Sequence, residues 1–353
     1  MGFLFVIWHI DFQHFNTIKL KYYNIISDDL EGIVSPDLPR NLASQRLPQK
    51  FENKIRKEVW ELSENSAGVS TSFKSNTSSL TINWSVKHDL RMNHMSDAGI
   101  KGVDLYQQKN DGWYFVGTGL PNGKENEQSL FNGVSKRMRR YRLHLPLYDT
   151  ITNIQIGIDD DSDLESFKNN KRPIAFYGTS ITQGGCASRP GLAYTNIISR
   201  ELGQECINLG FSGNGHLEGS IAKILSNIDA EMYVIECMAN IDEKIVSNNT
   251  IPLIKMIRKN GSTVPIVFFE QCIIDQDSLH KNVISSIKEK NIELNEQVDD
   301  AIEQGEKNIY VIKQPGCIDE DTEATVDGIH FNDLGFQRYA KHFITKVNEL
   351  NII

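Results

Sequence analysis

The sequence predicts an α/β protein in which an all-β sandwich precedes a parallel five-stranded sheet. Two observations lead to this fold class. Within residues 20–158, short segments have apolar and polar residues that alternate with a period of two, whereas strand and helix patterns alternate from Pro173 onward. At 353 residues, the chain is also long for a single hydrophobic core. We therefore expect a sandwich domain over 20–158, a linker over 159–171 and a second domain over 172–353.

Short alternating segments indicate the strands of the first half. In LTINWSV (residues 80–86) every second residue is apolar, and NIQIGID (153–159) repeats the pattern. Turn residues separate such segments, as in the Asn-Asp-Gly sequence at 110–112. Short alternating strands that are joined by turns are typical of a β-sandwich.

Five strand candidates alternate with five helix candidates in the second half. The strand candidates are 174–177, 206–209, 232–237, 266–269 and 309–312. The helix candidates are 193–202, 217–225, 251–259, 279–303 and 333–350. Consecutive parallel strands need right-handed crossovers, which place helices on the faces of the sheet. We therefore expect three layers, α/β/α.

The net charge of the chain limits the kinds of partner that it can bind. A formal net charge of −9 argues against nucleic acid and against an anionic membrane surface. The basic segment 136–147 alternates from Tyr141 onward, which predicts a half-buried strand with Arg142 and His144 on its solvent face. We expect no nucleic-acid partner.

Cysteine usage indicates neither a disulfide framework nor a metal site. The chain has five cysteines, an odd number, without a C-x-x-C pair. They are Cys186, Cys206, Cys237, Cys272 and Cys317. We expect buried reduced thiols. No cluster of cysteines and histidines has metal-ligand spacing, so we expect no metal.

The first residues, MGFLFVIWHIDF, are apolar but too short to span a bilayer. They lack the positive region and the cleavage site of a secretory signal. We interpret them as a truncated leader or as an extra strand, which leaves a cytoplasmic and an exported location both open. We expect no membrane span.

Polar residues and a glycine follow the predicted strands of the second half. Ser180 follows the first strand, Gly213 the second and Asn240 the third, while Asp327 and His330 follow the fifth. Ligands bind at the carboxyl ends of the strands in an open parallel sheet. We therefore expect these five residues to meet at one edge.

Three familiar motifs do not fit this edge. A phosphate-binding loop needs Lys-Ser/Thr after its last glycine, but Gly184 is followed by Gly185 and Cys186. The glycines of GFSGNG have the wrong spacing for a dinucleotide site. An α/β-hydrolase elbow, G-x-S-x-G, needs a glycine where Thr182 stands.

Four short blocks, in order, resemble those of the SGNH/GDSL hydrolases. They are GTSITQG (178–184), NLGFSGNG (208–215), CMAN (237–240) and DGIH (327–330). The segment GVDLY (102–106) resembles the β-rich domain that precedes some bacterial members. The resemblance implies a flavodoxin-like catalytic domain after a jelly-roll-like sandwich, as in two-domain carbohydrate esterases. Two departures, G-T-S for G-D-S and Ile241 after Asn240, suggest a particular subfamily.

The resemblance also implies roles for the five residues. Ser180 would be the nucleophile and His330 the base that takes its proton, while Asp327 would orient the imidazole. The backbone N–H groups of Ser180 and Gly213 and the side-chain amide of Asn240 would form the oxyanion hole. Only glycine lets the backbone approach the oxyanion so closely, which accounts for Gly213.

We interpret the chain as a serine esterase that needs no metal or cofactor. By resemblance, its substrate is a small acyl ester, preferably acetyl, on a carbohydrate. One alternative is a lipase or thioesterase for longer acyl chains, which would need an apolar groove, and no apolar helix stands out near the motifs. The other is an inactive carbohydrate-binding protein, which the intact set of polar residues disfavours.

The first half is expected to restrict the substrate rather than to perform chemistry. All tryptophans lie there, and aromatic rings pack against sugars. They are Trp8, Trp60, Trp84 and Trp113. The alternation around Trp84 predicts that it is core, whereas Trp113 and Tyr114 follow a turn and are expected to be exposed. Since no catalytic motif lies in this half, we expect that its removal would not directly affect the nucleophile, base or oxyanion donors.

Overall fold

The structure, a computed structural model, describes residues 19–274, 281–319 and 321–352. The apolar first segment with Trp8, and the start of the helix predicted from residue 279, lie outside these residues. The strands are β1 (Leu20–Asn24), β2 (Leu30–Glu31), β3 (Ser70–Ser75), β4 (Leu80–Val86), β5 (Val103–Lys109), β6 (Gly112–Gly119), β7 (Glu125–Phe131), β8 (Arg139–His144), β9 (Ile151–Asp159), β10 (Leu164–Ser166), β11 (Ile174–Gly178), β12 (Cys206–Gly210), β13 (Met232–Glu236), β14 (Ile266–Phe269) and β15 (Ile309–Ile312). The helices are α1 (Lys57–Ser63), α2 (Asp97–Lys101), α3 (Ser180–Gln183), α4 (Tyr194–Leu202), α5 (Gly219–Leu225), α6 (Glu243–Arg258), α7 (Lys281–Glu303) and α8 (Asp333–Glu349).

Two antiparallel sheets form the first half, which confirms the predicted sandwich. One has the order β1-β9-β4-β7, and the other has the order β10-β3-β8-β5-β6 with β2 paired to β3. Apolar side chains of both sheets form a common core, in which Trp84 is fully buried. The indole N–H of Trp84 donates to the Lys101 carbonyl at 2.9 Å, so the one polar group of this side chain is paired.

The second half contains the predicted parallel sheet, in the order β12-β11-β13-β14-β15. All four strand pairings are parallel. This order is that of flavodoxin-like folds, in which the chain turns in opposite directions after the first and third strands. Strands β11 to β14 are buried on both faces, since helices cover them, and this explains their continuous apolar sequences, whereas Tyr310 and Val311 of the edge strand β15 are partly exposed.

Helix α6 is longer than the sequence predicts. It begins at Glu243 instead of residue 251, because Asp242 caps its N-terminus by accepting from the Ile245 N–H at 2.9 Å. Pro252 lies inside this helix, although proline usually ends one. Within the segment predicted as a linker, β10 pairs with β3.

The alternation of β8 is confirmed, but the prediction that Arg142 and His144 face solvent is wrong. Arg142 is 4% exposed and His144 is 1% exposed. The Arg142 guanidinium donates to the Ser199 hydroxyl on α4 at 3.0 Å. Sequence alternation identifies two faces of a strand, but here the second half of the protein covers the polar one.

The two halves share hydrophobic cores. Val59 and Trp60 of α1 pack in the same cluster as Ile207, Ile221 and other residues that cover one face of the parallel sheet. A second cluster combines residues 95, 100, 147 and 148 of the first half with residues on the other face of that sheet. Burial of apolar surface, which contributes about 25 cal/mol per Å², therefore stabilises the contact between the two halves.

The prediction of reduced thiols is wrong for one pair of cysteines. The structure pairs Cys272 with Cys317, whose Cα atoms lie 6.9 Å apart. Cys186, Cys206 and Cys237 are buried free thiols, as expected. None of the described helices combines the length and the apolar character that a membrane crossing requires.

Candidate active site

A tight turn after β11 positions Ser180 at the edge of the parallel sheet. Thr179 caps α3, since its hydroxyl accepts from the Ile181 N–H at 3.1 Å, and Ser180 is the first residue of that helix. At Gly178 a Cβ atom would lie 2.0 Å from the Thr182 hydroxyl, so only glycine allows this approach. Ser180 is 6% exposed.

Hydrogen bonds join Ser180, His330 and Asp327 in a chain. The Ser180 Oγ lies 2.9 Å from His330 Nε2, and His330 Nδ1 lies 2.7 Å from Asp327 Oδ2. A carboxylate oxygen can only accept, so Nδ1 carries the proton and Nε2 is left to accept from the serine. The imidazole therefore has the tautomer of a general base.

Asp327 is held by its own loop. Its Oδ1 accepts from the backbone N–H groups of His330, at 2.8 Å, and Ile329, at 3.0 Å. Burial alone would raise the pKa of Asp327, but the hydrogen bonds from the His330 ring and from these two N–H groups hold it below its usual value. Asp327 is therefore a carboxylate at neutral pH.

Gly213 and Asn240 lie on the two loops that flank Ser180. Gly213 has φ +68°, in the left-handed region that favours glycine. The backbone N–H of its neighbour Ser212 donates to the side-chain oxygen of Gln183 at 2.9 Å. The side-chain oxygen of Asn240 accepts from the Gly215 N–H at 3.2 Å, which leaves the two amide N–H donors for another partner.

A buried lysine fixes the turn that carries Asn240. Lys290 on α7 donates to the carbonyls of Met238 at 2.8 Å and Ile241 at 3.0 Å, and to the Gln271 side chain at 2.8 Å. Burial lowers the pKa of Lys290. Sequence reasoning missed this residue, since a lysine on an amphipathic helix is normally exposed.

A buried glutamate supports the nucleophile turn, and it was also missed. Glu236, the last residue of β13, accepts from the hydroxyls of Thr179 and Thr182, both at 2.8 Å. Burial raises its pKa to about 7, against the hydrogen bonds that the threonines donate. Two features of the sequence could have identified it. Glu236 is a carboxylate at the end of an otherwise apolar strand, and the nucleophile block has an unusual threonine in G-T-S.

The first half contacts the catalytic loops. The Arg46 guanidinium, which is fully buried, donates to the Gly210 carbonyl at 2.7 Å, just before the Gly213 loop. The Tyr148 hydroxyl donates to the Ser180 carbonyl at 3.4 Å. The rings of His94 and His330 lie 5.7 Å apart between centroids. These contacts link residues far apart in sequence, so no local pattern could predict them.

The GVDLY segment of the first half makes hydrogen bonds to the second half. Asp104 is fully buried and accepts from the Arg189 guanidinium at 2.6 Å, the Gly191 N–H at 2.9 Å and the Thr118 hydroxyl at 2.7 Å. Burial raises its pKa, although Arg189 opposes this shift. Among the tryptophans of the described residues, Trp60 and Trp84 are buried and Trp113, predicted to be exposed, is half-buried under Arg142, whereas Tyr114 is exposed as predicted.

An apolar cavity of about 430 Å³ lies beside Asp327, although no apolar helix stands out in the sequence near the motifs. Its apolar lining includes Ile181, Ala239, Ile273, Ile274, Val283, Ile284, Ile287, Ile329 and Phe331. These residues come from separate loops and from α7, so no single amphipathic helix in the sequence predicts the cavity.

Among the described residues, one group of three side chains has the donor atoms and the proximity to hold a metal ion. It consists of His94, Cys186 and His330. The sequence spacing of these residues, 92 and 144 positions, matches no metal motif.

Comparison with known proteins bears on the whole chain. Residues 171–348 match the model of the GDSL-like lipase/acylhydrolase family, and residues 20–164 match that of the GxDLY domain, the N-terminus of SGNH-hydrolase-type esterases. No curated protein matches the chain in sequence.

Solved structures share the architecture. One described as a GDSL-like lipase from Bacteroides ovatus is 30% identical, with a TM-score of 0.88 over 94% of this chain and 98% of that one. The salicylyl-acyltransferase SsfX3 of a tetracycline biosynthetic pathway is 15% identical, with a TM-score of 0.76 over 95% and 98%. The acetyl xylan esterase Est2A of Butyrivibrio proteoclasticus is 13% identical, with a TM-score of 0.56 over 94% and 100%. The last two share the fold.

Proposed function

Because the chain belongs to the GDSL-like lipase/acylhydrolase family and is an ester-bond hydrolase, we propose that it works through an acyl-enzyme formed on Ser180. The observation that carries this proposal is the chain of hydrogen bonds from Ser180 Oγ to His330 Nε2, at 2.9 Å, and from His330 Nδ1 to Asp327, at 2.7 Å. A serine hydroxyl becomes a useful nucleophile only with such a base beside it.

In the first step the Ser180 oxygen attacks the ester carbonyl carbon while His330 Nε2 takes the hydroxyl proton. Asp327 stabilises the imidazolium that forms. The carbonyl oxygen becomes an oxyanion, which the N–H groups of Ser180 and Gly213 and the Asn240 amide stabilise. Its collapse breaks the bond to the alcohol, which leaves with the proton of His330.

In the second step water replaces the alcohol. His330 takes a proton from the water, whose oxygen attacks the acyl carbon, and the second oxyanion uses the same donors. Collapse releases the carboxylic acid and returns the proton to Ser180. No metal ion or cofactor takes part in this proposal.

The Ser180→Ala variant tests the mechanism. We expect kcat/KM on an activated acetyl ester to fall by at least about 10³-fold, because nucleophilic attack is lost. A serine-reactive phosphonate should label the wild type at Ser180 alone, as mass spectrometry would show. Ser220→Ala, on α5, is the matched control and should keep its activity. Ser180→Ala activity within tenfold of wild type would rule the mechanism out.

For the substrate, we propose small acyl esters, preferably acetyl, on a carbohydrate. This proposal is supported by the shared fold of acetyl xylan esterase Est2A. A specific observation favours a second candidate, an ester with a longer or bulkier acyl group. The apolar cavity next to Asp327 has a volume of about 430 Å³, far more than an acetyl methyl group needs.

A panel of acetyl, butyryl and octanoyl esters of one activated phenol, with acetylated oligosaccharides, separates the two candidates. Ile287→Trp would fill part of the cavity, and Ile292→Trp, exposed on the same helix, is its control. The acetyl proposal predicts the highest kcat/KM on acetyl esters and no effect of Ile287→Trp on them. A preference for octanoyl that Ile287→Trp abolishes would support the second candidate instead.

A further inference from the structure

We propose that His94, Cys186 and His330 form an inhibitory site for a divalent transition-metal ion such as Zn²⁺. The three donor atoms lie within 4.8 Å of one another. Two imidazoles and a thiolate are the ligand set that zinc prefers among protein side chains. The ion would take the histidine that Ser180 needs as its base, and so would switch the hydrolase off.

Neighbouring groups already orient both histidines as metal ligands. The Nδ1 atom of His94 lies 3.0 Å from the side-chain oxygen of Asn93, and Nδ1 of His330 lies 2.7 Å from Asp327. Both oxygens accept, so each Nδ1 carries a proton and each Nε2 is an unprotonated nitrogen, which in His330 accepts from the Ser180 hydroxyl until an ion displaces it. Such an outer partner fixes the tautomer and the ring orientation of metal-binding histidines.

The third donor comes from the loop after α3. Cys186 is a free thiol that is 6% exposed, and it has φ +77°, an unusual conformation for a residue other than glycine. This conformation places its sulfur beside the catalytic histidine. The mechanism proposed above does not use the thiol. Binding of the ion would release the thiol proton to solvent.

The site needs only a small closure. Tetrahedral zinc with bonds of about 2.0–2.3 Å holds its ligand atoms about 3.5 Å apart. His94 is exposed on the irregular segment between β4 and α2, so it is the ligand that can approach. The Asp327 carboxylate behind His330 adds negative charge that favours a cation. The Ser180 hydroxyl would lose its hydrogen bond to Nε2.

The test measures binding and inhibition in the full chain. Calorimetry with ZnCl₂ should show one site per wild-type chain, and Zn²⁺ should inhibit ester hydrolysis reversibly, with activity restored by EDTA. His94→Ala and Cys186→Ala should each raise the Zn²⁺ concentration for half-inhibition by at least about tenfold, since loss of even an outer partner costs 10–100-fold in affinity. Their kcat/KM without metal should stay within threefold of wild type.

His88→Ala, another exposed histidine of the same segment, is the matched control and should be inhibited like wild type. Mg²⁺ should not inhibit. The inhibition measurement rests on the proposed function, but calorimetry does not, so an inactive preparation still tests the site. Absence of a calorimetric site, or equal inhibition of wild type, His94→Ala and Cys186→Ala, would overturn the proposal.

Discussion

Glu236 shows how a single buried residue can support a nucleophile without touching substrate. Its carboxyl accepts from Thr179, which precedes Ser180, and from Thr182, two residues after Ser180. Thr182 is also within 2.9 Å of the Tyr194 hydroxyl, so the turn belongs to a buried polar network. Such networks fix one conformation when every member is paired. We regard Glu236 as a positioning residue.

The titration of Glu236 makes a prediction about stability. Burial raises its pKa in the folded protein from 4.5 to about 7, so the folded state binds more protons than the unfolded state between these pH values. The free energy of unfolding should therefore fall as pH rises through this window, by on the order of 3 kcal/mol from this group. Glu236→Gln cannot titrate, and its stability should depend less on pH.

Urea unfolding of both proteins at pH 5 and pH 8 measures the difference. Glu243→Gln removes an exposed carboxylate at the start of α6 and should follow the wild type. An equally steep pH dependence in Glu236→Gln would mean that another group is responsible.

At the scale of secondary-structure elements, the edge of the parallel sheet gathers the site. Ser180 follows β11 and the Asn240 turn follows β13. These two strands are adjacent in the sheet, and between them lies the point at which the strand order changes direction. Helix α7 then anchors the Asn240 turn through Lys290. The position of one proposed oxyanion donor thus depends on a helix that begins 41 residues later in the sequence.

Lys290→Met should lower kcat more than it raises KM, because Asn240 matters most when the oxyanion forms. We expect a loss of about tenfold to a hundredfold on an activated acetyl ester, since small misplacements of catalytic groups have such costs. Lys288→Met, exposed on the same helix, should have no effect.

A double variant with Asn240→Ala shows whether Lys290 acts through Asn240. If it does, adding Lys290→Met to Asn240→Ala should cost little further activity. Losses that multiply in full would mean that Lys290 acts by another route.

At the scale of the whole molecule, the sandwich and the catalytic half are joined by more than a linker. Two hydrophobic clusters cross the boundary, and the buried Arg46 and Asp104 each bond the other half. That the first half restricts the substrate stays a prediction, and this half also contacts the catalytic loops. The division at residues 159–171 stays a prediction.

These contacts between the two halves predict that the protein unfolds in one transition. Trp84 lies in the sandwich core and Trp113 on β6, so their fluorescence follows the sandwich, whereas Trp60 packs against the parallel sheet. Most of the helix, from α3 to α8, lies in the second half and dominates far-ultraviolet circular dichroism. The two signals should give the same midpoint on heating. Arg46→Met should lower both midpoints together, because it leaves buried carbonyls unpaired, and Arg137→Met, on the surface, should lower neither. Separate midpoints for the two signals would show that the two halves unfold independently, contrary to this prediction.

Local sequence determined the elements and the order of the proposed catalytic residues. Strands β11 to β15 were predicted nearly to their ends, because buried parallel strands are continuous apolar segments between turn residues. Ser180, Gly213, Asn240, Asp327 and His330 could be named because each lies in a short block after a strand. Their catalytic roles remain predictions.

Tertiary structure alone decided what surrounds them. The burial of Arg142, the approach of His94 to His330, the support from Arg46 and Lys290, and the apolar cavity all arise where distant segments pack together. A one-dimensional pattern gives the face of a strand or helix on which a residue lies, but not what covers that face. Long-range packing sets what covers a face, and here the second half of the protein covers the face of β8 that the alternation alone would have given to water.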